Sequence, residues 1–206
     1  MTTKYTPKDV YNFARDGDGD ELIIALNQGD NSTNWYKIQN GNTALHLAAQ
    51  YDHFNIVEIL LNRGIDINSK ESDGHTALHV AAGEGHINIV EMLLNRGIDI
   101  SSKENHGNTA LHFAAGKGFI NIVEILLNRG IDINSKNNNG NTALHFAAGK
   151  GFINIVEILL NRGIDINSKN IHGFTALHMA ALHDHFNIVE ILLLSLIHIS
   201  EPTRPY

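Results

Sequence analysis

The 206-residue chain sets 22 acidic against 15 basic residues, a formal charge of −7, and its lysines and arginines are dispersed without a basic block. That argues against a nucleic-acid partner, whose phosphates require a positive face to displace their counterions. A 43% hydrophobic and 18% charged composition is ordinary for a folded globular chain, and the lack of cysteine excludes disulfides and thiolate metal sites.

The amino end, MTTKYTPKDV, carries no apolar segment of signal-peptide length, so a cytoplasmic or nuclear location is expected. Without an export signal, Asn31-Ser32-Thr33 reads as plain loop rather than a glycosylated sequon. Residues 1–40 align with the segment that follows them at an offset of 35. Phe13-Ala14 falls on Ala48-Ala49, Leu22 and Leu26 on Val57 and Leu61, and Gly29 on Gly64, which predicts a degenerate, polar first unit. Its run Asp16-Gly17-Asp18-Gly19-Asp20-Glu21 imitates a calcium loop. The EF-hand pattern, however, needs glycine where Glu21 stands and glutamate where Asn27 stands. Acids near a helix start, favoured by the helix dipole, are the plainer reading.

From Gly41 onward the chain repeats itself. Gly41, Gly74, Gly107, Gly140 and Gly173 lie 33 apart, and each opens Gly-x-Thr-Ala-Leu-His-x-Ala-Ala. Residues 107–136 return unchanged at 140–169. In each unit the threonine predicts a helix cap, its hydroxyl accepting an orphan backbone N–H, and the alanines permit close contact. A second helix follows on Asn-Ile-Val-Glu-Ile-Leu-Leu-Asn-Arg-Gly: in the first unit Ile56, Val57, Leu60 and Leu61 share a face, and Gly64 ends it. Ile-Asp-Ile-Asn then alternates as a brief extended arm. Gly85, Gly118 and Gly151 stand between the two helices with Asp52 and Asp184 as equivalents, predicting left-handed backbone at all five. Boundaries follow at 41–73, 74–106, 107–139, 140–172 and 173–193.

After Leu192-Leu193 the expected Asn-Arg-Gly is missing. LSLIHISEPTR, beginning at Leu194, resembles the conceptual translation of a transposase-type sequencing-library adapter. Residues 194–206 are therefore expected to be an artefactual tail, with the fifth unit cut short and the natural protein continuing beyond it. Residues 191–199, the greasiest run, are too short to span a bilayer, and no membrane partner is expected.

Thr-x-Leu-His-x-Ala-Ala and Ile-Val-Glu-x-Leu-Leu, five times over, with Gly-x-Asp-Ile-Asn three times, resemble ankyrin repeats, each a β-turn plus two antiparallel helices with a period of 33. The resemblance implies an all-α solenoid of stacked helix-turn-helix units with short β-hairpin-like loops. The chain departs from the family at Ala44 and its counterparts, where proline is usual, and an array less stable than an idealised one is expected.

His46, His79, His112, His145 and His178 occupy one position of every unit. The resemblance implies a structural role, each ring bonding the threonine hydroxyl and linking to the next repeat. Stacked equivalents form a row, whereas metal ligands must converge. His178, His183 and His185 are the densest histidine group, yet no carboxylate or thiolate completes a known zinc spacing. AAGKGF, at 114–119 and 147–152, lacks the Walker spacing and its Ser or Thr, and HExxH, GxSxG and dinucleotide fingerprints are absent. No catalytic residue, cofactor or metal is expected. What remains is surface, and solenoids bind on their concave side. The variable positions implied by the resemblance are Gln50 and Tyr51, Gly83 and Glu84, Gly116 and Lys117, Gly149 and Lys150, and Leu182 and His183. Asn42, His75, Asn108, Asn141 and Phe174 lie on the hairpins. Tyr51 and Phe174 are the expected anchors, although Phe174 could simply pack on its neighbour. Lys117 and Lys150 recur in identical units, as a repetitive acidic ligand would require, while solvated lysines are commoner. The expected function is a monomeric, noncatalytic module binding a protein or peptide. The alternative is a regulatory or targeting segment of a larger enzyme, such as a kinase or ubiquitin ligase.

Overall fold

A computed structural model describes residues 5–28 and 41–200, with side chains as far as residue 197. Twelve helices and no strand occur among the described residues. Gly29 and the Asn31 sequon lie outside them. The chain divides into two compact units, residues 1–105 and 106–206.

Unit 1 contains three helical pairs: α1 (Pro7–Asp16) with α2 (Gly19–Gln28), α3 (Ala44–Gln50) with α4 (Phe54–Asn62), and α5 (Ala77–Glu84) with α6 (Ile87–Asn95). First helices pack on first helices, α1 on α3 and α3 on α5, and second helices likewise, α2 on α4 and α4 on α6. Unit 2 repeats the arrangement with α7 (Ala110–Lys117), α8 (Ile120–Asn128), α9 (Ala143–Lys150), α10 (Ile153–Asn161), α11 (Ala176–Leu182) and α12 (Phe186–Ser200). There α9 packs between α7 and α11, and α10 between α8 and α12. Each unit is thus a stack of helix-turn-helix pairs joined by short hairpin-like loops.

The apolar pattern accounts for the packing. The paired alanines of the first helices, Ala81-Ala82, Ala114-Ala115 and Ala147-Ala148, are fully buried, and their small side chains let neighbouring backbones approach. Ile89, Val90 and Leu93 on α6, with Ile155, Val156 and Leu159 on α10, are buried against the adjoining rows. Area bookkeeping assigns about 1.5–3 kcal/mol to each such side chain. In α4, Ile56, Val57 and Leu60 are buried as expected, but Leu61 is only half-buried. The last pair is more open: Leu177 is half-buried and His178 exposed, whereas Leu144 and His145 are buried. Helix α12 continues across Leu193, the point where the repeat pattern stops.

Left-handed backbone occurs where the sequence places it, at Gly85, Gly118, Gly151, Asp52 and Asp184. Gly17 adopts it too, at the offset of 35 from Asp52, and ends α1. A second reason for glycine is crowding. A Cβ on Gly151 would lie 2.7 Å from the His185 ring, and one on Gly118 would lie 2.7 Å from Phe152. The expected extended arm is a tight turn instead. Ser69 N–H bonds the Asp66 carbonyl at 3.1 Å, and Asp66 Oδ1 accepts the Asn68 N–H at 3.0 Å. Ile65 is buried, Asp66 exposed and Ile67 half-buried, so the alternation reports burial while aspartate's own side chain turns the backbone.

Candidate functional site

The threonine that begins each first helix and the histidine three residues later form a reciprocal box. In the fourth, His145 Nδ1 accepts the Thr142 N–H at 3.1 Å, so that nitrogen carries no proton and the hydroxyl must donate to it at 2.9 Å. His145 Nε2–H then donates to the Phe174 carbonyl at 3.0 Å, which fixes the tautomer and ties the helix to the next hairpin. His112 reaches the Asn141 carbonyl at 3.0 Å and His46 the His75 carbonyl at 2.9 Å. The hydroxyl's close bond therefore goes to the ring, and the His145 N–H bonds the Thr142 carbonyl at 3.1 Å. This differs from a simple hydroxyl cap. Burial pushes the imidazoles of His46 and His145 below the ordinary 6.5, outweighing the backbone hydrogen bonds that favour their charged forms.

Hairpin tips are set by one residue. Asn170 Oδ1 accepts the N–H groups of His172 and Phe174, both at 3.0 Å, and Asn137 Oδ1 accepts those of Asn139 and Asn141 at 3.0 and 2.9 Å. Glu71 fills this position in unit 1, taking the His75 N–H at 3.0 Å and its Nδ1–H at 2.6 Å. Burial would raise the Glu71 carboxyl, but hydrogen bonds from Asp73 and His75, with the adjoining imidazole, hold it at about 2. Glu71, Asp73 and His75 bring ligand-type atoms within 4.8 Å of one another. Sequence reasoning missed this cluster, whose residues straddle the hairpin. The shared role of Glu71, Asn137 and Asn170 is to hold the turn.

The candidate contact residues fall into two groups. Gln50, Tyr51, Glu84, Lys117, Lys150 and His183 end the first helices or follow them, and all are exposed, Tyr51 by 49%. Asn42, His75, Asn108 and Asn141 are half-buried on the hairpins. There the Asn108 and Asn141 side-chain oxygens accept from Asn137 and Asn170 at 2.8 and 2.9 Å, so both contribute to the loop ladder. Phe174, 41% exposed, stacks on His178 with ring centroids 5.6 Å apart and planes 4° apart. In unit 2, Phe146, Gly149 and Lys150 of α9 face Met179 and His183 across a groove of about 170 Å³.

The acidic run near the amino end serves its helices. Asp18 Oδ1 accepts the Glu21 N–H at 3.1 Å, Asp16 pairs with Arg15 at 2.7 Å, and Glu21 accepts the Tyr5 hydroxyl. His183 and His185 lie with ring centroids 6.3 Å apart, and one nitrogen of each bonds a different carbonyl, His183 Nδ1 that of Met179 and His185 Nε2 that of Gly149. No helix among the described residues is long and apolar enough to cross a membrane.

The family model described as "Ankyrin repeats (3 copies)" matches overlapping stretches, residues 11–104, 69–137, 102–170 and 134–202. No curated protein matches the chain. With the helical pairs, threonine–histidine boxes and hairpins all present, and matches across nearly its whole length, the chain belongs to the ankyrin-repeat family.

Proposed function

We propose that this chain is a noncatalytic interaction module whose first helices and hairpin tips bind a protein or peptide. The observation that carries the reading is the contrast between the two rows: alanines and leucines are consumed in stacking, while Tyr51 in unit 1 and Phe174 in unit 2 stay exposed beside polar helix ends. Aromatic side chains at such places supply most of the energy of an interface. Helices α1 and α2 act as a further, degenerate repeat, a reading supported by Gly17 taking the left-handed position of Asp52 and by the family match beginning at residue 11. A reducing compartment is compatible with this reading, since the chain carries no cysteine. The tail at 194–206 takes no part in it.

Capture of a partner by the full chain tests the reading. Tyr51→Ala and Phe174→Ala should each weaken capture about tenfold, about 1.4 kcal/mol, while helical circular dichroism stays intact. Glu157→Ala, on the second-helix row, should leave capture unchanged. Equal capture by all the variants would contradict the choice of face.

A further inference from the structure

Unit 2 keeps its carboxylates off the first helices and hairpins, while Arg129 and Arg162, which end α8 and α10, share the second-helix side with them. Glu124, Glu157 and Glu190 lie on second helices, and Asp132 and Asp165 in the turns after them. Asp184 follows α11 and lines a separate cavity with Gly151, His185 and Phe186. These are all the carboxylates among the described residues of the unit. The first helices and hairpins carry Lys117, Lys136, Lys150 and Lys169 instead. Lys136 donates to the Lys169 carbonyl at 3.0 Å. Lys117, Lys150 and Lys169 are exposed, and no ion pair engages them among the described residues. Unit 1 has Glu71, Asp73, Glu84 and Glu104 on its corresponding elements, so the basic face is local within a chain of charge −7.

The groove between α9 and α11 adds shape to that charge. Gly149 lines it too: the residue is buried, and a Cβ there would meet Met179 at 3.4 Å, so the missing side chain lets the methionine lie close. Phe146 and Met179 form apolar walls, and Lys150 and His183 stand at the rim. Its volume of about 170 Å³ suits one aliphatic or aromatic side chain, and a methionine wall adapts to either. Helices α7 and α9 pack together, and helix axes at such contacts are about 8–10 Å apart. Lys117 therefore extends the basic rim by one repeat. An apolar slot beside isolated lysines favours a peptide over a polyphosphate, which would leave the slot unused.

We infer that unit 2 receives an acidic segment of a partner protein, with one apolar side chain seated between Phe146 and Met179 and flanking carboxylates on Lys150 and Lys117. This rests on the binding face assigned under Proposed function. The test is selection of short random peptides displayed on phage by the immobilised full chain, followed by titration of the selected peptides as labelled synthetic probes. Selected peptides should carry aspartate or glutamate on both sides of an apolar residue. Affinity should fall about tenfold or more on combining Lys117→Glu with Lys150→Glu, and should weaken steeply with added salt. Gly149→Leu, which fills the slot, should abolish the apolar preference. Far-UV circular dichroism verifies that the variants stay helical, and the lysine pair is exposed enough to change without disturbing packing. Absence of enrichment, or acidic peptides indifferent to the lysine reversal, would overturn the proposal. Peptides without acids that are nevertheless lost on Gly149→Leu would overturn it while leaving the binding face standing. Peptides indifferent to every variant would end both.

Discussion

His145 satisfies three polar groups with one ring: the Thr142 N–H, the Thr142 hydroxyl and the Phe174 carbonyl. Replacing it by leucine would leave the buried Thr142 N–H and hydroxyl without that partner and take one of two donors from the Phe174 carbonyl, which keeps the Asn170 N–H at 2.9 Å. A loss of about 3 kcal/mol or more is expected in urea unfolding, whereas His178→Leu, at the exposed equivalent, should cost less than about 1 kcal/mol. The same residues predict a pH dependence. Because His46 and His145 titrate below 6.5 when folded, the unfolded chain binds more protons as the solution turns acid. Their contribution is complete above about pH 6.5 and declines below it. The urea midpoint should therefore fall between about pH 7.5 and about pH 5.5, and less so in a variant lacking both rings. Glu71 cannot produce that change, since its contribution is lost only between its ordinary 4.5 and about 2. The histidine's partnership with threonine was implied by the resemblance to ankyrin repeats, whereas the residues alone suggested a plain hydroxyl cap. The ring's tautomer was not, because it depends on which atoms of the next hairpin come within reach.

At the scale of the helical pair, the turn between helices separates backbone strain from crowding. Gly163 is left-handed with nothing within 4 Å of where a Cβ would stand, whereas Gly151 is left-handed and covered by His185. Gly163→Ala should cost about 1–2 kcal/mol for conformation alone, and Gly151→Ala clearly more; thermal unfolding of the two proteins compares them directly. Asp184 sits at φ 60, and Asp184→Gly should raise stability by about 0.5–1 kcal/mol. The first-turn alanines offer a second gain. Helix α1 already has Pro7 after its capping Thr6, so Ala110→Pro and Ala143→Pro should each add about 0.4–1 kcal/mol. Positive φ at these turns could be read from glycine and aspartate alternating at one position. The ring lying over Gly151 comes from the following repeat and has no local signature. The Ile-Asp-Ile-Asn segment misled for a related reason: alternating apolar and polar residues suggested a brief extended arm, but the aspartate side chain closes a turn on the Asn68 N–H.

Across the whole molecule, the 33-residue period carried most of the fold. Each repeat touches only its neighbours, so an unchanged copy, residues 107–136 at 140–169, extends a stack without disturbing it. The proposed binding face was less legible. Gln50, Tyr51, Glu84, Lys117, Lys150, Leu182 and His183 are exposed, but Gly83 and Gly116 are half-buried and Gly149 buried, Asn108 and Asn141 are drawn into the hairpin ladder, and the groove beside Met179 requires α9 and α11 to be side by side. Identical repeats also hid where one step differs from the next: Phe146 and Lys150 in α9 give way to Met179 in α11 and His183 just after it. Hydrogen exchange, compared between the free chain and the chain saturated with a selected acidic peptide, examines this face directly. Slowed exchange confined to residues 110–117, 141–150 and 174–183 is the expected result. Slowing confined to the second helices, residues 153–161 and 186–192, would contradict it.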